Sequence, residues 1–270
     1  MAVNLPEVAC SGDAREMGRQ QGEAMRENIH AAIAVIGELE AFQLMKPKLI
    51  PMFGFRALAE RKAGKFMRKA FSVSPPDFER RFAGICEGAG MPAAKLALCC
   101  LLEAVMSDLT CNSREIPNGL QAGCSAIAVT GAASKDGKAR VMHNFDHVPV
   151  VQSFFVVRRS QPAGKLRSVE FTLSPLLGAV DGVNESGLGV TCNYAYVTDR
   201  SSAGPTITMV ISQVLSEATS VEEAIGIITS QPRVGGGLLM LADAAGAVAS
   251  VEVSNTRVES RMPTDGLVFH

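Results

Sequence analysis

A thiol directly follows a glycine at Gly123-Cys124 and opens the alternating run Ser125-Ala126-Ile127-Ala128-Val129; after a polar turn the chain returns His143-Asn144-Phe145-Asp146. An imidazole, an amide and a carboxylate therefore stand within one short strand of a potential nucleophile. If the turn near Ser134–Gly137 folds these runs into a hairpin, position 124 falls opposite about 146 to 149, because facing residues in an antiparallel pair keep a constant number sum. That arithmetic puts Cys124 beside Asp146.

A thiol is the most capable nucleophile among side chains, but it needs a base and a group to hold the developing oxyanion. Two bases are open. His143 and His147 are close in sequence and would make a Cys-His thiol hydrolase, although the Cys-Gly-Ser-Cys-Trp signature of papain-like enzymes is absent and the chain has no Trp. The other is the α-amino group that Cys124 gains if the Gly123-Cys124 bond is cut; its ordinary pKa of about 7.7 to 8.0 suits it to take the proton of its own thiol. Glycine on the leaving side fits such a cut, since it tolerates the strained backbone that brings the thiol onto the preceding carbonyl.

The elements that must position these groups divide into two textures. Asp13 with Glu16 reads as a capping box. Met17, Gln21, Met25, Ile29, Ile33, Ile36 and Leu39 then form one apolar stripe of a helix running to about Phe42. Between Lys46 and Arg81 ten basic residues face three acids; the plain reading is a solvated helix face, the sharper one a patch that attracts an anionic ligand. An apolar helix follows over 93–106, where Cys99 and Cys100 read as packing. Residues 107–123 are polar and turn-rich and mark the strongest boundary in the chain. Beyond them, β-type runs at 124–130, 139–145, 153–159, 166–172, 177–183 and 188–192 suggest an antiparallel meander. Helices return at 206–217 and 221–229, and strands at 238–242, 247–253 and 257–261, with another beginning at Leu267.

With 270 residues, 47% of them hydrophobic and 20% charged, the chain can bury a large core. Lysine plus arginine total 26 against 27 acids, which gives no electrostatic reason to expect nucleic acid or an anionic membrane as partner. The N-terminus lacks a basic region followed by an apolar run, and no window is apolar enough to span a bilayer, so the expected location is cytoplasmic. Seven cysteines without a CxxC pair argue against a disulfide framework and a zinc site.

Taken in order, Asp13–Gly22, Cys86–Met91, Gly123–Gly131, His143–Asp146, Asn184–Tyr194 and Leu241–Glu252 resemble the acyl-coenzyme A:isopenicillin N acyltransferase family over nearly the whole chain. The resemblance implies an α+β fold, the αββα four-layer sandwich of N-terminal-nucleophile (Ntn) hydrolases, made as a precursor that cleaves itself before the catalytic cysteine. Position by position it implies Cys124 as nucleophile, Asp146 as the carboxylate orienting the freed amine, and the backbone N–H of Ala126 as an oxyanion donor. It places His143 where amidase relatives carry arginine, and Asn193 on an asparagine lining the site. Family members usually continue beyond Asp265–Val268 into a segment supplying a second oxyanion asparagine, so the sandwich is expected without its C-terminal part.

The expectation is one Ntn-hydrolase domain, with residues 1–123 as a mainly helical α chain or pro-segment and 124–270 as the antiparallel-sheet catalytic β chain. Cys124 forms an acyl-enzyme with a small-molecule amide or acyl thioester, helped by Asp146, Asn193, Ala126 and His143. Asn144 and Tyr194 contact substrate, and the Gly123-Cys124 bond is the cleavage site. Neither metal nor cofactor is called for, and the partner besides substrate is the chain's own cleaved N-terminal segment. The alternatives are an unprocessed Cys-His hydrolase using Cys124 with His143, or a non-catalytic fragment or binding protein with the same fold.

Overall fold

The computed structural model describes residues 5–110, 124–147, 149–195, 197–199 and 203–270. Gly123, and with it the cleavage site and most of the turn-rich boundary, lies outside the described residues.

The architecture is α+β. Strands β1 (Glu7–Gly12), β4 (Phe155–Pro162), β5 (Ser168–Leu173), β6 (Asp181–Asn184), β7 (Gly189–Ala195), β8 (Gly236–Ala242), β9 (Val248–Val253) and β10 (Val258–Arg261) form one sheet in the order β1-β4-β5-β6-β7-β8-β9-β10. A second sheet has the order β11-β2-β3, from β2 (Ser125–Val129), β3 (Arg140–Asn144) and β11 (Leu267–Phe269). The β-type runs, read as an antiparallel meander, fall into the two sheets that the sandwich requires, because β2 and β3 pair only with each other and with β11. The two sheets meet through Ala126, Ala128 and Val268 on one side and Met240, Ala242 and Val248 on the other. Small residues on the facing strands let the sheets lie close.

Helices cover the opposite face of the large sheet. Helices α8 (Ile207–Glu217) and α9 (Val221–Ser230) bury Val210, Val214 and Ile228 against Val190, Leu241 and Val251. Helix α1 (Ala14–Ala24) packs over β1 and β4, with α5 (Pro76–Ala89) behind it. Outside these, α2 (Arg26–Val35), α3 (Glu40–Leu44), α4 (Met52–Phe71) and α6 (Ala93–Thr110) share a core centred on Ile29, Ile33, Phe42, Met67, Ile85 and Leu101. A short helix, α7 (Pro149–Gln152), connects β3 to β4. Among the described residues no helix covers the outer face of the small sheet, where Met142 and Phe269 are exposed. The expected αββα stack is present as its αββ part.

Several local expectations are corrected. The helix read as continuous to Phe42 breaks at Met25 (φ −107°, ψ 17°) and again at a 3₁₀ turn over Ile36–Glu38. The apolar stripe survives the bends, since Met17, Gln21, Ile29, Ile33 and Ile36 are all buried. The capping box is half-formed: Asp13 Oδ1 accepts the Glu16 N–H at 2.9 Å, but the Glu16 carboxylate turns to Arg19 and Gln20. Strand β1 was not expected; it adds parallel to β4, from Glu7↔Val157 to Gly12↔Pro162, and ties the N-terminal segment into the edge of the sheet. The strand expected from 177 starts only at Asp181, because Gly178 and Ala179 run against the first turn of α8, with Ala179 N–H on Thr208 O at 3.0 Å.

Candidate active site

The β2–β3 hairpin sets the geometry. Its register pairs Ser125 with Asn144 and Ala128 with Val141, so the ladder extends Cys124 opposite Phe145 and not opposite 146 or beyond. The shift arises in the turn, where a 3₁₀ segment over Gly131–Ala133 precedes a loop stapled by Ser134 Oγ, Asp136 and Arg140, and Gly137 adopts φ +75°. Cys124, half-buried, donates from Sγ to the Asp146 backbone oxygen at 3.8 Å. The Asp146 residue itself is exposed.

Alternation along β3 sends His143 inward and Asn144 outward. His143 is almost fully buried at its side chain, and its Nδ1 lies 2.8 and 2.9 Å from the two oxygens of Asp181. Asp181 is fixed from the far side by the Cys192 N–H at 3.2 Å, at the point where the β6–β7 ladder has ended with Gly182↔Val190. Burial works against the imidazolium, but the Asp181 carboxylate and then Cys124 outweigh it and hold His143 up at about 9. His143 is therefore a cation at neutral pH. Its other nitrogen, Nε2, is buried without a hydrogen-bond partner.

Along β7 the same alternation turns Val190 and Cys192 to the helices and Gly189, Thr191 and Asn193 to the small sheet. Val141 Cγ1 would lie 3.2 Å from a Cβ on Gly189, so β3 crosses β7 almost on its backbone and sets His143 over the next residues. Asn193 is 3% exposed with neither end of its amide partnered, and the Thr191 hydroxyl is also buried and unpaired. Unsatisfied buried polar groups are costly to the fold and suited to receive a polar substrate group. Phe145, Phe155 and Phe171 stack edge-on at 5.1 to 5.6 Å next to His143 and give the region an apolar wall.

The structure thus brings Cys124, His143 and the Asp146 backbone together, with Asn193 on the facing strand. Ala126 is buried beneath them, its carbonyl taken by the His270 N–H at 3.0 Å. Two expected substrate contacts are placed elsewhere: Asn144 is on the outer face, donating to Ser125 Oγ at 3.3 Å, and Tyr194 follows Cys192 on the helix-facing side of β7. The residue that sequence reasoning missed is Asp181. Its signal was a carboxylate inside the apolar run Leu177–Val183, where a buried charge needs a cationic partner. Elsewhere burial pushes the Cys86 thiol up to about 11 and Cys100 to about 12, which leaves both protonated and inert. Among the described residues no group of three or more His, Cys, Asp or Glu is placed to hold a metal ion.

The profile of the family described as acyl-coenzyme A:6-aminopenicillanic acid acyl-transferase matches residues 133–268, half of the chain. Among curated proteins, none matches the sequence. Among solved structures, similarity is found to an N-acylethanolamine-hydrolyzing acid amidase ortholog of Caenorhabditis elegans, with 10% identity, 55% of this chain and 69% of that chain covered, and a TM-score of 0.43. Penicillin V acylase from Agrobacterium tumefaciens is 18% identical over 54% of this chain and 44% of its own, with a TM-score of 0.32. The conjugated bile acid hydrolase from Clostridium perfringens is 15% identical over the same shares, 54% and 44%, at a TM-score of 0.32. The chain therefore spans less than half the length of the latter two.

Proposed function

Because the chain belongs to the acyl-coenzyme A:6-aminopenicillanic acid acyl-transferase family, we propose that it is an Ntn-type enzyme that cleaves a small-molecule amide or thioester through an acyl-enzyme on Cys124. Cleavage of the Gly123-Cys124 bond frees the α-amine, which takes the thiol proton as Sγ attacks the carbonyl. The tetrahedral oxyanion meets the His143 imidazolium, the Asn193 amide and the Ala126 N–H. As it collapses, the leaving group departs with the proton from the amine, and water or an acceptor amine then releases the acyl group. The observation that carries this reading is the buried His143–Asp181 ion pair on the strand beside Cys124, which holds the imidazole up at about 9. A cation there, at the position where the resemblance places arginine, serves as charge stabiliser and leaves the α-amine to act as base. Hydrolysis is favoured over transfer because water needs no binding site, whereas transfer needs a bound amine and solvent exclusion.

The arrangement of Cys124, His143 and Asp181 supports a second reading, an unprocessed Cys-His hydrolase. Mass spectrometry of the purified protein separates the two. The Ntn reading expects a fragment beginning at Cys124 from the wild type and an intact Cys124→Ala chain. An intact wild type that turns over acyl substrates favours the Cys-His reading, and an intact, inert one favours a non-catalytic binding role.

A further inference from the structure

On the helix side of the large sheet, away from Cys124, lies a cleft of about 440 Å³ between α1, α5, α8 and strands β4 and β5. Such a volume is within the range of about 300 to 1,000 Å³ that small-molecule sites occupy. Its floor holds a charge imbalance. Arg158, fully buried, is saturated: Nε bonds Glu170 Oε2 at 2.6 Å, Nη1 bonds Gln21 Oε1 at 3.0 Å, and Nη2 bonds Gly178 O at 3.1 Å. The other Glu170 oxygen accepts from Ser168 Oγ at 2.8 Å. A second guanidinium, Arg81, lines the cleft beside this pair with Nε and Nη2 buried and without any hydrogen-bond partner. Ser160, 4% exposed on β4 directly across from Ser168, also lines the cleft and leaves its Oγ unpartnered.

Burial draws Arg81 down to about 10, so it is charged at neutral pH. A half-buried cation whose Nε and Nη2 are buried without partners on one edge of its guanidinium has the fork that binds a planar oxyanion side-on. Glu170 alone does not balance two arginines, and the rim carboxylates Asp77 and Glu217 are already engaged by Lys165 at 3.1 and 3.0 Å. Met17, Pro75, Phe78, Pro162 and Leu177 give the cleft an apolar wall, while Ser212, Gln213 and Ser216 line its α8 side. We propose that this cleft is a second ligand site, taking a carboxylate on an aliphatic body with its oxygens on the Arg81 Nε/Nη2 edge and the Ser160 hydroxyl. One added negative charge completes the pairing of Arg81, Arg158 and Glu170, and the apolar tail displaces water from the cleft walls. Of the basic residues between 46 and 81, Arg81 is the one this places on an anion.

Calorimetric titration of the intact protein with octanoate, together with methyl NMR of Met17, tests the assignment. Expected is a saturable site that shifts the Met17 methyl, is weakened at least tenfold in Arg81→Gln and several-fold in Ser160→Ala, and is unchanged in Cys124→Ser. Octanamide should not compete. Absence of saturable octanoate binding, equal binding of octanamide, or a Met17 response retained in both cleft variants would overturn the proposal. So would preferential binding of inorganic phosphate. Ser160→Ala removes a single unpaired hydroxyl, so it keeps the test open should Arg81→Gln fail to fold.

Discussion

At the residue scale, the pair His143–Asp181 governs both stability and chemistry. A raised imidazole pKa contributes stability that is fully present below the unfolded value of about 6.5 and is lost as pH rises toward about 9. Thermal melts of the wild type should therefore fall between pH 6.5 and 9, and Asp181→Asn should flatten that slope. At pH 7 the same variant should melt at least about 4 °C lower, because one partner of a mostly buried pair is left behind. Activity distinguishes the roles further. His143→Arg should retain most turnover and remove an alkaline limb near pH 9, since arginine keeps the charge. His143→Gln should lose activity modestly; near-total loss in both would identify His143 as the base. Cys124 and His143 stood out in the sequence as a thiol and an imidazole on two strands of one expected hairpin, and Asn193 was named through the family resemblance. Asp181 was not singled out, since its partner lies 38 residues away and only the approach of β3 to the start of β6 joins them.

At the element scale, the helices α1 and α5 illustrate how a packing mode hides in plain residues. Gly18 and Gly22 on α1 face Gly84 and Gly88 on α5, and a Cβ at Gly18 or Gly84 would overlap the Arg81 or Arg15 carbonyl, respectively. The backbones touch, as they do at paired small-xxx-small positions. Gly84→Ala should therefore destabilise the protein by about 1 to 3 kcal/mol or more by thermal denaturation, where a helix-interior Gly→Ala would ordinarily stabilise. The spacing of four was present in both segments, but nothing local says that two such stripes meet. Strand β1 escaped notice for a related reason: Glu7–Gly12 alternates only weakly, and its β character comes from the partner β4.

At the scale of the whole molecule, the buried network Gln21–Arg158–Glu170 joins the N-terminal helical segment to the sheet across more than a hundred residues of chain. Removing one charge, as in Glu170→Gln, should cost about 3 to 5 kcal/mol in denaturant unfolding, while replacing Arg158 and Glu170 together with apolar residues of similar volume should cost much less. The same contacts, with β1 in the sheet edge, would hold the two pieces together after cleavage before Cys124. By itself the sequence determined the alternation of the β2–β3 hairpin and the nucleophile candidate, written in local period and residue type, and its ordered motifs carried the family resemblance that implied the α+β sandwich. Only the tertiary structure decided that Cys124 faces Phe145 in register, that Asp181 reaches His143 and that Arg81 holds two buried donors without partners. Those outcomes depend on which charges and surfaces from distant segments share a low-dielectric interior, and no local pattern encodes that.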